Sequence, residues 1–291
     1  MSGAMSQECR ACGAIDLTAR YRVGAFQILE CPACDSLTTD SAMTPDAAAA
    51  WYGAEYFRGG DYADYESSQD LLKRNFRGFV RRMRRHHAGR RLLEVGCSYG
   101  YFLDVARDYW DVEGIDISEA ARSASARLGS RVVAGDLLGE TGRVGGYDWI
   151  VAWDTIEHLD QPRSYARRCL DLLAPGGFLA VTTGDVSSAV ARLTGRRWRL
   201  LTPPSHLTFF SRKGMTRLLS DAGFEQIQMG TTGYYRSLDF TVYRLLGPQM
   251  YRALTSAGRP FQTWLKRAGF YVNLFDIIFV TARKPDPHPG R

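Results

Sequence analysis

The 291-residue chain has no uninterrupted apolar run of roughly 18 residues, the length a helix needs to cross a bilayer, so no membrane-spanning helix is expected. Its opening MSGAMSQECRACG has no basic stretch followed by an apolar one, and a secretory leader is not expected either. There is no internal repeat and no low-complexity tract, which excludes solenoids, collagens and mainly disordered chains. Acidic groups are in slight deficit: 37 Lys and Arg against 31 Asp and Glu leave a formal charge of +6. That excess suits an anionic substrate or surface without requiring either. With 45% hydrophobic residues the chain can bury one large domain, with room for a small appendage. The reading is a cytoplasmic protein whose six cysteines stay reduced.

Four of those cysteines form two C-x-x-C pairs, Cys9 with Cys12 and Cys31 with Cys34. Two thiols three residues apart on a tight turn can face one ion, and a second such turn completes a tetrahedron. Gly13 supplies backbone freedom after the first pair, and YRVGAFQILE has room for a short hairpin between the turns. The expectation is a structural zinc ribbon, since four thiolates leave no position open for chemistry. Cys97 and Cys169 stand alone and read as packed thiols.

After the ribbon, SAMTPDAAAAWYGAEYF reads as a helix capped at Thr44 with Pro45 in its first turn. Residues 67–88 read as an amphipathic helix with Leu72, Phe76, Phe79 and Met83 on its apolar stripe. Its other face is rich in arginine and reads as solvated, with phosphate binding as the alternative. From residue 91 short apolar runs alternate with helical segments. The expected strands are 91–96, 112–117, 131–136, 148–153 and 177–183, then 225–231 and 273–283 near the C-terminus. The first five predict a parallel sheet covered on both faces, and the last two an antiparallel pair at one edge.

The segment LLEVGCSYGYFL places Gly96 and Gly100 in a loop between a strand ending near Glu94 and a helix. Glycines let backbone approach a ligand where a Cβ would collide. The dinucleotide fingerprint Gly-x-Gly-x-x-Gly is absent. Asp116 ends the second strand, where a carboxylate can accept hydrogen bonds from ribose hydroxyls, and Asp136 ends the third, near where an adenine amino group would lie.

In E-V-G-C-S-Y-G (94–100), G-I-D-I-S (114–118), A-G-D-L (134–137), D-W-I-V-A-W-D-T-I-E-H-L (148–159) and L-L-A-P-G-G-F-L (172–179), the chain resembles the class I S-adenosylmethionine-dependent methyltransferases. P-P-S-H-L-T-F-F-S (203–211) and A-G-F (222–224) also resemble a subgroup with an N-terminal zinc ribbon that modifies sugars, lipids or natural products. The resemblance implies a Rossmann-like α/β fold, with a mostly parallel seven-stranded sheet between helices. It implies that Gly96, Ser98 and Gly100 line the methionine part, Asp116 holds the ribose and Asp136 faces adenine. Glu94, Ile117, Leu137 and Trp153 complete the expected cofactor set.

The acceptor is expected over the ends of the first and fourth strands. One mechanism makes His206 or Glu157 a general base, with Tyr52, Tyr56, Asp154, Trp198 and Arg197 shaping the acceptor pocket. Another lets Asp154, Glu157, His158 and His206 bind a further divalent metal. That set resembles the E-x-x-E-H plus His site of metal-dependent O-methyltransferases, including small-RNA 2′-O-methyltransferases, with Asp154 one methylene short. The organisation read from sequence is a ribbon over 1–42, a helical linker over 43–90 and the cofactor domain over 91–285. The function read is methyl transfer from S-adenosylmethionine to oxygen or carbon of a small biosynthetic metabolite, with an anionic or phosphorylated acceptor favoured by the basic clusters. An RNA ribose methyltransferase and a non-catalytic cofactor-binding scaffold are the alternatives. The ribbon is short of basic residues, which speaks against nucleic acid as a partner.

Overall fold

The computed structural model describes residues 8–40, 69–86, 89–118, 120–129, 131–140, 145–255, 258, 261, 263–265 and 268–287. The helix expected from Thr44 and the pocket residues Tyr52 and Tyr56 lie outside them.

In chain order come β1 (Thr18–Val23), β2 (Phe26–Glu30), β3 (Leu37–Thr39), α1 (Gln69–Met83), β4 (Arg91–Val95), α2 (Tyr101–Ala106), β5 (Asp111–Asp116), α3 (Ala120–Leu128), β6 (Val132–Ala134) and β7 (Tyr147–Trp153). Then follow α4 (Pro162–Leu172), β8 (Leu173–Gly184), α5 (Ala189–Thr194), β9 (Thr208–Phe209), α6 (Arg212–Ala222), β10 (Glu225–Thr231), β11 (Tyr234–Ser237), α7 (Leu238–Thr255), β12 (Gly269–Val272) and β13 (Ile277–Arg283).

Seven strands form the main sheet in the order β10-β13-β8-β7-β4-β5-β6. The run from β8 to β6 is parallel, and β13 is antiparallel to both β8 and β10. This is the α/β architecture expected from the alternating pattern. The antiparallel pairing of the last two expected strands is present, with β13 one place in from the edge. The strands carry near-continuous apolar runs because both faces are covered. On one face Phe76, Phe79 and Met83 of α1 and Phe102 of α2 pack on Leu92, Trp149, Val151 and Phe279. On the other, Cys169 and Leu172 of α4 and Met215 and Leu218 of α6 pack on Leu93, Ile150, Val181 and Ile278. Each such large side chain, fully buried, contributes about 1.5–3 kcal/mol.

Several details differ from the sequence reading, among them the start of β8 at Leu173 in place of 177. The stripe of α1 keeps Phe76, Phe79 and Met83 but buries Leu71 with Leu72 only half-buried, and Asn75 also faces inward, where it bonds the backbone of Tyr235 in β11. Strand β6 is short, ending at Ala134. Residues 273–276 lead into β13 without belonging to it, since the chain first completes the two-stranded β11–β12 sheet, whose strands are separated by α7.

The N-terminal sheet has the order β1-β2-β3-β9 and is antiparallel throughout. Its fourth strand is supplied by residues 208–209, from the loop after β8. Among the described residues no helix is long and apolar enough to cross a membrane.

Candidate active site

The turn after β4 uses left-handed backbone three times in five residues, at Gly96 (φ 77°), Ser98 (φ 46°) and Gly100 (φ 71°). At Gly96 a Cβ would run into the Thr155 side chain, so glycine alone permits this approach between the loop and the end of β7. The turn brings Ser98 N to 2.7 Å from Asp116 Oδ2, while Ser118 N donates to Asp116 Oδ1 at 2.7 Å. Gly135 N donates to the Asp116 carbonyl, so Asp116 and the loop carrying Asp136 lie side by side at the ends of β5 and β6. Asp136 accepts from Leu138 N and from the Tyr165 hydroxyl. Ile117 is 42% exposed beside them, whereas Leu137 is buried.

Around Asp116 several buried polar atoms have no partner among the described residues: Glu94 Oε2, Ser98 Oγ and Ser118 Oγ, with Trp153 Nε1 at the end of β7. Burial, then the charge of Asp116, push the Glu94 carboxyl well above its usual range. Unsatisfied buried groups are costly in a folded protein, and a ligand rich in ammonium, hydroxyl and amine groups would satisfy them. The residues present therefore fit an adenosyl amino acid. Trp153 itself is packed in the core against Phe79, Phe102 and Phe279, with ring centroids 4.8–5.5 Å away.

A second cluster lies past the end of β7. The candidate ligand atoms of Glu157, His158 and His206 all fall within 4.8 Å of one another. Nδ1 of His158 is 2.7 Å from Ser205 O and Nδ1 of His206 is 2.9 Å from Leu200 O. A carbonyl only accepts, so each Nδ1 carries the proton and each neutral ring keeps its lone pair on Nε2. Burial lowers His158 to about 3 and His206 to about 4, and raises Glu157 to about 8 with the help of Asp154. Both imidazoles are thus neutral at pH 7. Glu157 Oε2 is buried and unpartnered. Glu157 and His206 line a small, partly open recess of about 10 Å³, room for about one water, bordered by Trp198, Leu200, Thr183, Gly184, Thr208 and Phe209.

Asp154 is not part of this cluster. Its backbone is left-handed (φ 47°), and its carboxylate accepts from Thr182 Oγ1 at 2.9 Å and Tyr234 Oη at 2.6 Å. The four-ligand metal set read from sequence is corrected to three. Trp198 is buried, its indole N–H bound to Asp276, and Arg199 pairs with the same carboxylate. Arg197 is exposed in the short turn before it. Tyr234, Thr155 and Tyr165 were not singled out from sequence; each is a common residue whose partner lies on another element.

The four ribbon cysteines bring their sulfurs within 4.8 Å of one another, with Cys9–Cys34 and Cys12–Cys31 both at 3.6 Å. These are free thiols. Zinc–sulfur bonds of about 2.3 Å in a tetrahedron require sulfurs roughly 3.8 Å apart, so the set fits the ion. The two turns are alike: Gly13 N donates to Cys9 O and Asp35 N to Cys31 O, both at 2.7 Å, with Gly13 and Asp35 left-handed. Cys97 and Cys169 are buried away from this group.

A methyltransferase domain family matches residues 67–229. A ubiquinone biosynthesis O-methyltransferase of Bordetella avium (strain 197N) is 32% identical over 104 residues, covering 33% of this chain and 43% of that one. One of the same name from Caulobacter sp. (strain K31) is 34% identical over 104 residues, covering 33% and 41%. The chain thus matches less than half the length of these relatives. A solved SAM-dependent methyltransferase from Thermotoga maritima has a TM-score of 0.52 at 17% identity, covering 77% of this chain and 94% of that one, a likeness of fold.

Proposed function

The chain belongs to this family of class I S-adenosylmethionine-dependent methyltransferases, and from that premise we propose that it methylates an oxygen or carbon of a small, anionic biosynthetic metabolite. The observation that carries the reading is the group of unpartnered buried polar atoms gathered around Asp116. In this reading Glu94, Gly96, Ser98 and Gly100 hold the methionine part, Asp116 the ribose, and Asp136, Ile117 and Leu137 the adenine, with Trp153 backing the site. S-Adenosylmethionine, when bound, supplies a sulfonium methyl with its own leaving group. The chain's task is then to aim the acceptor and remove its proton.

His206 is the base in this proposal. Its Nδ1 proton is committed to Leu200 O, which leaves the Nε2 lone pair of the neutral ring free to take a proton, beside the small recess shared with Glu157. Asp154 and Trp198 bound the acceptor side, and exposed Arg197 supports a carboxylate or phosphate on the acceptor. The relatives' names support oxygen as the receiving atom. The ribbon, residues 1–42, carries one structural zinc on Cys9, Cys12, Cys31 and Cys34, ahead of a linker over 43–90 and the cofactor domain over 91–285. Such an arrangement supports the reading of a subgroup that tailors sugars, lipids or natural products.

A second reading is favoured by one observation: Glu157, His158 and His206 converge as two imidazoles and a carboxylate, each Nδ1 held by a backbone carbonyl. Such outer hydrogen bonds are usual for metal-bound histidine, so these three residues would hold a divalent ion that acidifies an acceptor hydroxyl. The test is calorimetry with S-adenosylhomocysteine, followed by labelled methyl transfer to candidate acceptors. Absence of binding by folded protein refutes the cofactor reading. His206→Ala with turnover unchanged refutes the base, and chelation without loss, the ribbon still loaded, refutes the second metal.

A further inference from the structure

The ribbon and the acceptor side are joined through one short segment. Leu207, next to His206, donates its N–H to Glu157 O at 2.8 Å and receives Thr39 N on its carbonyl at 3.0 Å. Thr39 is the last residue of β3, and the next two residues of the loop, Thr208 and Phe209, pair with β3 in register. The ribbon edge therefore fixes both the backbone beside the histidine and the backbone of the glutamate.

Arg10 ties this junction to the first cysteine turn. It lies between Cys9 and Ala11, with a side chain only 9% exposed. Its Nη1 donates to Thr39 O at 2.9 Å and to Leu207 O at 3.5 Å. Its Nη2 pairs with Asp160 at 3.2 Å, just beyond the Glu157–His158 turn. One planar guanidinium thus spans the ribbon, the histidine loop and the end of the β7 segment, a use that its fixed fork of donors permits and a lysine serves only in part. A second tie runs from the other cysteine turn, where Cys34 O accepts from Ser211 Oγ and Ser36 Oγ accepts from Ser211 N. None of these contacts reaches the loop 96–100 or Asp116.

We propose that Arg10 is a positioning residue: seated by the metal-loaded cysteine turn, it holds the Leu207 segment so that His206 and Glu157 face the acceptor, while the cofactor half of the site forms without it. The inference rests on the acceptor-site reading above. It gives the ribbon a defined task, that of bracing one side of a two-sided site. Loss of the ribbon metal would free the histidine loop and spare the cofactor side.

The experiment uses the full chain with its zinc content measured. Arg10→Ala, Arg10→Lys and Asp160→Asn are compared for S-adenosylhomocysteine affinity, amide exchange across 205–209, and the rate at which diethyl pyrocarbonate labels His206. Arg10→Ala is expected to keep one zinc and cofactor affinity within about twofold, while His206 labelling and local amide exchange each rise by about tenfold or more. Arg10→Lys restores much of the protection, and Asp160→Asn, remote from the cysteines, shows a smaller version of the same pattern. Stripping zinc from the native chain reproduces the loosened loop with cofactor affinity retained. Unchanged labelling and exchange in Arg10→Ala overturns the proposal. A rise spread evenly over the chain, with cofactor binding lost and no rescue by lysine, overturns it as well. Failure of the native protein to bind S-adenosylhomocysteine strikes the methyltransferase reading instead, and the labelling results still stand or fall separately.

Discussion

Tyr234 Oη donates a 2.6 Å hydrogen bond to Asp154 Oδ2 across 80 residues of sequence. Thr182 fills the other carboxylate oxygen at 2.9 Å. The pair joins β11 to the end of β7 and commits both Asp154 carboxylate oxygens outside the Glu157, His158 and His206 group. Burial and the neighbouring carboxylate together push the Tyr234 phenol well above its usual range, so it stays a donor.

Tyr234→Phe removes that donor and leaves the half-buried Asp154 carboxylate with one side-chain partner. The expected loss is about 1–3 kcal/mol of stability. Denaturant titration of Tyr234→Phe, Asp154→Asn and the double variant measures it, and a coupling energy near zero would show the pair to be unimportant.

Asp116→Ala should weaken S-adenosylhomocysteine binding by about tenfold or more, since a charged acceptor for hydroxyl groups is lost. It also leaves the Ser98 and Ser118 N–H groups without their acceptor, so a fall in melting temperature should accompany the loss. Asp116→Asn separates the two effects, because it keeps an oxygen for the backbone donors. Calorimetry and thermal melts on both variants check this.

Replacing Cys9 or Cys31 by Ser should lower bound zinc from one per chain and destabilise the N-terminal sheet, because a ribbon of this size gains its folding energy from the metal. Cys97→Ser, away from the group, should leave the zinc count unchanged. Elemental analysis of protein purified without added metal decides it.

Stability should depend on pH through the buried cluster. Glu157 titrates near 8 in the folded chain and near 4.5 when unfolded, so the folded state holds a proton that the unfolded state has released. Its contribution is complete below 4.5 and is lost as pH rises through 8. His158 and His206, lowered from 6.5 to about 3 and about 4, act in the opposite sense: their contribution is present above 6.5 and is lost as pH falls through their folded values. Between pH 6.5 and 8 the Glu157 term stands alone among the three, worth on the order of 2 kcal/mol. Glu157→Gln should flatten that limb, and His206→Gln should soften the acid limb. Urea midpoints across the pH range test both.

The parts of the site legible in the sequence are those built by neighbours along the chain. The left-handed turn of 96–100, the carboxylates closing β5 and β6, and the cysteine turns all follow from residue type at short spacing. The run 148–153 announced itself as a buried strand because every position is apolar or aromatic after its first residue. Tyr234 and Arg10 gave no such signal: one is a tyrosine among fifteen, the other an arginine in a basic chain. Their meaning comes from partners on distant elements. Asp154 was misjoined to Glu157 because adjacency in a motif does not say which way a left-handed residue aims its side chain.

The segment matched by the family, residues 67–229, contains β9 but neither β3, its partner, nor β13, which lies between β8 and β10. An excised fragment with those limits would carry a bare strand edge at one place and a missing rung at another. Such a piece invites self-association in place of cooperative folding. The recognisable segment thus cuts across two sheets of this chain, and moving the ribbon to another scaffold would mean carrying the 203–211 loop along with it.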